Sequence, residues 1–94
     1  MISHKLRCEL LTNVIDEGLS LMKNKLSLDI FNAWKEYANG VLESITRDNG
    51  GQKIYLNFLR LQVHVMQKYD DNNCYAQMSL CLEYLIDMIR FFKN

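Results

Sequence analysis

The amino-acid sequence predicts an all-α protein, a single-domain antiparallel four-helix bundle with up-down-up-down topology. Apolar residues recur at three- or four-residue steps in four segments, which is the period of an amphipathic helix. Proline is absent, so no residue in the chain forbids a helix interior. The connections between the segments are short, and short connections keep consecutive helices adjacent and antiparallel. We expect helices over about residues 3–23, 28–47, 52–69 and 73–92, in one domain that covers residues 1–94.

Composition and charge narrow the classes of protein to which the chain can belong. A chain of 94 residues buries roughly 60% of the surface that its unfolded form exposes, which is enough for one core. A hydrophobic fraction of 49% argues against intrinsic disorder, and no apolar run approaches the ~20 residues of a membrane span. The 11 basic and 11 acidic residues balance, so the chain as a whole is not attracted to nucleic acid or to an anionic membrane.

The first two predicted helices have recognisable ends. Ser3 and Ser27 stand where an N-cap is expected, and Asp29 follows in the first turn of the second helix, where the helix dipole favours an anion. The expected core face of the first helix carries His4, Cys8, Leu11, Ile15, Leu19 and Met22, and Leu10, Val14 and Leu21 widen the same face. That of the second carries Leu28, Phe31, Trp34, Ala38, Val41, Leu42 and Ile45.

The fourth predicted helix has the most regular period in the chain. It follows the third predicted helix, and the Asp-Asn-Gly-Gly turn at 48–51 separates the two predicted hairpins. Further apolar residues widen its apolar arc to roughly 240°, more than one core-facing side requires. We expect neighbours in the chain, a second copy or a partner protein to cover it on two sides. Its core face carries Cys74, Met78, Cys81, Leu82, Leu85, Met88, Ile89 and Phe92.

The cysteines and histidines do not form a pattern that indicates a metal site. His4 and Cys8 lie near one end of the predicted bundle and Cys74 near the other, so these side chains should not converge. Free cysteine usually packs as a small hydrophobe, and we expect all three thiols to do so. An odd cysteine number and a charged start to the chain favour a cytoplasmic protein with reduced thiols. We expect neither a metal nor a cofactor.

No segment of the sequence has the pattern of an active site. There is no nucleophile elbow and no glycine-rich phosphate loop. The acidic pairs on helices, such as Glu83 and Asp87, are typical of exposed faces, because catalytic use requires burial and a shifted pKa. The sequence therefore predicts a protein that is not an enzyme.

Two predicted surfaces favour binding to another protein. Asp29, Glu36 and Glu43 repeat every seven residues and align on the second helix, where a mainly acidic column would attract a basic protein. The alternative is an ordinary solvated face. The second predicted surface lies on the fourth helix. The alternative is that its apolar residues pack inside the bundle. The predicted surface comprises Leu80, Glu83, Tyr84, Asp87 and Phe91.

In size, helicity and predicted cytoplasmic location, the chain resembles the small helical immunity proteins with which bacteria neutralise toxins. That resemblance implies an immunity or antitoxin-like protein whose partner is a basic toxin domain. The other reading is a dimeric regulatory protein, paired through the third and fourth predicted helices. Such a protein would bind nucleic acid or an anionic ligand through the basic strip Lys53, Arg60 and Lys68, although the neutral chain disfavours nucleic acid.

Overall fold

The computed structural model describes residues 3–45 and 73–93. They form three α-helices: α1 (His4–Asn24), α2 (Leu28–Ile45) and α3 (Asn73–Lys93). α1 packs against both other helices, whereas α2 and α3 contact each other only slightly. At one end of the molecule the start of α1 lies against the end of α3, because the His4 and Phe92 rings stack at 5.6 Å. α3 is therefore antiparallel to the central α1. α2 is antiparallel to it as well, because its last residue Ile45 accepts a hydrogen bond from Arg7 near the start of α1.

The all-α prediction is confirmed for the described residues, but the predicted four-helix bundle is wrong, because the described structure has three helices. Sequence periodicity counts the segments that favour a helix, whereas a bundle is defined by the helices that share a core. The described core is shared by α1, α2, α3 and the connecting residue Leu26. The third predicted helix, 52–69, lies outside the described residues, and the single domain 1–94 stays a prediction.

The ends of the described helices follow the predicted caps. Ser3 accepts a hydrogen bond at its Oγ from the Leu6 backbone N–H, at 3.1 Å. Ser27 does the same for the Ile30 N–H at 3.3 Å. These bonds satisfy backbone donors that have no partner within the helix, so both predicted N-caps are confirmed.

One continuous apolar cluster fills the space between the helices. Each large side chain removed from water contributes about 1.5–3 kcal/mol to folding, so this cluster is the main source of stability. Trp34, expected in the core, is 2% exposed, and its indole N–H donates to the Val14 carbonyl at 3.0 Å. On α3 the predicted core face is buried except for the half-buried Ile89. The cluster comprises Leu11, Val14, Ile15, Leu26, Phe31, Trp34, Ala38, Leu42, Ile45, Cys74, Met78, Cys81, Leu82, Leu85, Met88 and Phe92.

The buried side of α1 agrees only in part with the predicted one. Leu19, expected in the core, is 51% exposed, whereas Arg7 and Gly18 are buried. α1 has neighbours on two sides, so its buried line runs between them through Arg7, Leu11, Val14 and Gly18. Leu11, Val14 and Ile15 were predicted on the core face and are buried, but a pattern of apolar residues could not show that an arginine and a glycine lie on the same side.

At Gly18, side chains of both α2 and α3 pack closely against the backbone of α1. A β-carbon built on Gly18 would lie 2.9 Å from Leu82 Cδ2, 3.1 Å from Trp34 Cε2 and 3.2 Å from Met78 Sδ. Real β-carbons almost never come within 3.0 Å of another heavy atom. The absence of a side chain at this position therefore permits the observed packing of α2 and α3 on α1.

Arg7 joins the three helices near the start of α1. Its Nε donates to the carbonyl of Ile45, the last residue of α2, at 2.9 Å. Its Nη1 lies 2.9 Å from His4 Nδ1, and this nitrogen must be the acceptor because a guanidinium can only donate. The guanidinium also lies 5.2 Å from the centre of the Phe92 ring on α3. A cation at the carbonyl end of α2 is favoured by the helix dipole.

Replacing the two glycines of the described helices with alanine should change stability in opposite directions. Gly18→Ala should lower the free energy of unfolding by about 1–2 kcal/mol, because overpacking against the hydrogen-bonded Trp34 ring outweighs the helix propensity of alanine. The matched control Gly40→Ala has nothing within 4 Å of the new β-carbon and should gain up to about 1 kcal/mol. Urea unfolding measures both values. Stabilisation by Gly18→Ala would contradict the close approach.

Removal of the Arg7 guanidinium should destabilise the fold. Arg7→Met keeps much of the side-chain volume but leaves the Ile45 carbonyl without this donor, which should cost about 1–3 kcal/mol. The matched control is Arg90→Met, because the Arg90 side chain is 76% exposed and its change should stay within about 0.5 kcal/mol. Thermal and urea unfolding measure both values. Equal losses in the two variants would show that the Arg7 contacts add no stability.

Candidate protein-binding surface

The predicted acidic column on α2 is a fully exposed surface. Asp29, Glu36 and Glu43 are all exposed, and their seven-residue spacing keeps them on one side of the helix. Within residues 3–45 and 73–93 none of the three carboxylates forms an ion pair. Lys35 is the one cation in the α2 sequence, and it is buried. Among the described residues, the negative charge on the exposed side of α2 is therefore not compensated by an ion pair.

An apolar groove lies beside this column, along the seam between α1 and α2. Its volume is about 430 Å³. Ile30 and Tyr37 are 38% and 44% exposed and both line the groove. Ala33 and Gly40 lie between these residues and the acidic column, since neighbours on a helix surface are three or four positions apart. The groove is lined by Glu17, Leu21, Ile30, Ala33, Trp34 and Tyr37.

Sequence reasoning missed this groove. Ile30 and Tyr37 lie outside the predicted core face of α2. Their position was the one sign in the sequence of an apolar surface at this place. An isolated apolar residue on a helix surface is common and carries little information. The groove arises only because α1 brings Leu21 and Glu17 alongside.

The residues predicted on the fourth helix lie on the outer side of α3. Leu80 and Phe91 are 45% and 50% exposed, so they do not pack in the core. Glu83 and Asp87 are exposed, and Asp87 lies 3.6 Å from Arg90 as an ion pair. Tyr84 is half-buried and packs against the core.

The acidic column of α2 and the exposed residues of α3 are not brought together. Each set faces away from the shared core, on helices that flank α1 and scarcely touch each other. They form two separate surfaces, and their role in binding stays a prediction. The basic strip Lys53, Arg60 and Lys68 lies outside the described residues, and so does the third-helix half of the predicted dimer contact.

Lys35 is the buried cation that the sequence did not reveal. It is 5% exposed, and its Nζ lies 4.9 Å from the centre of the Phe31 ring, within reach of a cation–π interaction. Burial lowers the pKa of Lys35, and the nearby Cys81 opposes that shift. A shifted lysine can mark an active site. Here the cation–π contact with Phe31 accounts for the buried position of the side chain without a catalytic role.

All three cysteines carry free thiols. Cys74 and Cys81 are fully buried, and burial raises the pKa of Cys81 to about 11, against the opposing effect of Lys35. Cys8 is half-buried, with its Sγ 3.9 Å from the Ile89 carbonyl. In the described part of the chain, no group of three potential ligand residues could hold a metal ion.

A second cavity of about 640 Å³ lies where α1 begins and α3 ends. Lys5, Glu9 and Lys93 give it charges of both signs, and Phe92 supplies its apolar part. The lining does not favour one class of ligand. Among the described helices, none is long and apolar enough to cross a membrane.

Comparison of the chain with known protein families, with curated proteins and with solved structures found no match. Any functional conclusion therefore depends on the physical properties of the surfaces described above. Of these, the exposed side of α2 combines the clearest charge with the clearest shape.

The three thiols should differ sharply in reactivity. A thiol reagent attacks the thiolate, so the buried Cys81, with a pKa of about 11, should react slowly at pH 8, as should the buried Cys74. The half-buried Cys8 should react first. Titration with Ellman's reagent should show one faster thiol per native chain and three after unfolding. The Cys8→Ser variant should lose the faster phase; if the phase persisted, the assigned order of burial would be wrong.

Proposed function

We propose that this chain is a non-catalytic protein-binding module that captures a basic partner through the acidic column Asp29, Glu36 and Glu43. The observation that carries the proposal is the exposure of all three carboxylates without an ion-pair partner in the described residues. Aligned like charges on one face attract a partner of opposite sign, raise its association rate and disfavour acidic competitors.

Charge alone does not account for tight binding. An exposed ion pair contributes about 0.2–1 kcal/mol, so three pairs supply at most about 3 kcal/mol. A dissociation constant of 1 µM requires about 8 kcal/mol. The acidic column therefore selects and orients the partner, and apolar surface must supply most of the affinity.

A sharper form of the proposal is an immunity or antitoxin-like inhibitor that neutralises a basic toxin domain in the cytoplasm. Two properties support it: an acidic binding face suits a basic target, and an odd number of free thiols suits a reducing compartment. Inhibition by direct binding requires no active site in the inhibitor itself.

Charge reversal on α2 should weaken capture of basic ligands. Peptides from a phage-displayed library, selected on the immobilised wild-type chain at low salt, should be rich in Lys and Arg. Their affinity for the double variant Glu36→Lys/Glu43→Lys should fall about tenfold or more, because favourable ion pairs become repulsive. Affinity for the wild-type chain should also fall with rising salt, since exposed charges are screened.

The control is Asp16→Lys, which reverses one exposed carboxylate on α1 and is compared with the single variant Glu36→Lys, so that the change in net charge is equal. It should change affinity about twofold at most, because exposed charges elsewhere act weakly through solvent. Circular dichroism and urea unfolding establish that all variants are folded. The proposal is wrong if the selected peptides have no basic excess, or if both reversals act equally.

A further inference from the structure

We propose that the groove between α1 and α2 is the docking site of an amphipathic, basic α-helix from the partner protein. This inference rests on the proposed function and names the element of the partner that α2 binds. It joins the two features that lie side by side on this part of the molecule, the apolar groove and the acidic column. The groove supplies the apolar contact area that the acidic column lacks.

The floor of the groove is suited to apolar side chains of the partner. Ile30 and Tyr37 remain 38% and 44% exposed although each is large and apolar enough to be buried. Leu21 from α1 and the edge of Trp34 complete the floor. The volume of about 430 Å³ falls within the range of pockets that enclose ligand groups. Two or three side chains from one face of a helix would cover this floor.

Both edges of the groove are acidic. Glu17 lines the α1 edge. On the α2 edge, Asp29 and Glu36 are the helix-surface neighbours of Ala33, at four and three residues' distance. A ligand seated on the apolar floor therefore meets carboxylates on either side. Lysines or arginines that flank an apolar stripe would fit this charge pattern.

A helix fits the shape of the site better than an extended strand does. A seam between two helices offers no free backbone edge with which a strand could pair, whereas helix-in-groove docking needs only side-chain contacts. The acidic column from Asp29 to Glu43 spans about 21 Å along α2, which corresponds to a partner helix of about 14 residues. No described residue of another element lies within 4 Å of a β-carbon built on Gly40, so a partner backbone can approach closely there.

A second copy of this chain is a poorer occupant. A two-fold contact through this surface would place the acidic columns of both copies against each other, and like charges at short range repel. A basic helix meets no such repulsion.

The test uses pooled 18-residue peptides with lysines fixed along both flanks of the helix. Leu, Ile, Phe and Met are varied at positions i, i+4, i+7 and i+11, and each peptide is paired with a scrambled peptide of the same composition. Binding is measured by anisotropy of the labelled peptide and by the emission of Trp34, the single tryptophan of the chain, which lines the groove. The best amphipathic peptides should bind about tenfold more tightly than their scrambled partners.

Two matched variants separate docking in the groove from charge attraction. Ala33→Gln fills the exposed groove without adding charge and should weaken binding of the amphipathic peptides about tenfold. The control Ala76→Gln makes the same exposed change on α3 and should leave affinity within about twofold. Far-ultraviolet circular dichroism should show that peptide helicity rises on binding.

Each result decides between the proposals. Helix docking would be overturned if amphipathic and scrambled peptides bound equally, and if Glu36→Lys/Glu43→Lys weakened that binding while Ala33→Gln did not. The proposed capture of a basic partner by the acidic column would then stand. Binding that neither change affects would overturn both. Failure of every amphipathic peptide to bind would also overturn helix docking. Helix docking would also be overturned if light scattering without peptide showed a dimer and Ala33→Gln dissociated it. The groove would then bind a second copy of the chain.

Discussion

The approach of α2 and α3 to the same turn of α1 at Gly18 is the constraint on which the described structure depends. Leu82, Trp34 and Met78 all come within about van der Waals distance of the position that a β-carbon would occupy. A larger residue would push at least one helix outwards and open the core, because interiors are packed to crystal-like density. The close contact fixes the rotation of α1 and thereby determines which of its residues are buried.

That rotation accounts for the burial of Arg7, which lies on the buried line of α1 and donates to the carbonyl of Ile45 in α2. A second cation is buried on α2. Lys35 lies on the inner side of α2 over the Phe31 ring. Such long side chains bury their apolar stems at little cost when the charged end finds a partner. Burial of Lys35 also removes the one cation of α2 from its surface, so a neutral chain presents an acidic face.

The exposed side of α2 is not explained by the stability of the fold. In the described part of the chain, no atom of another element lies within 4 Å of a β-carbon built on Gly40, and a glycine inside a helix costs about 1 kcal/mol relative to alanine. Ile30 and Tyr37 leave apolar area in water, and three carboxylates repel one another along the helix. Several residues on one side of a helix that do not stabilise the fold are typical of binding surfaces, where recognition and stability place different demands on the same residues. Charge acts over about 8–10 Å at physiological salt, whereas the groove acts only on contact. The two features therefore suit successive stages of association.

The sequence by itself determined the helical class, the N-caps at Ser3 and Ser27, the core face of α3 and the exposed acidic column of α2. These features follow from local rules: the 3.6-residue period, capping hydrogen bonds and the seven-residue spacing of carboxylates. Only the tertiary structure decided that Arg7 and Gly18 are buried while Leu19 is exposed, because burial on α1 depends on where two other helices lie. The groove was likewise beyond the sequence, since Glu17 and Leu21 reach Ile30 and Tyr37 only when α1 and α2 pack together.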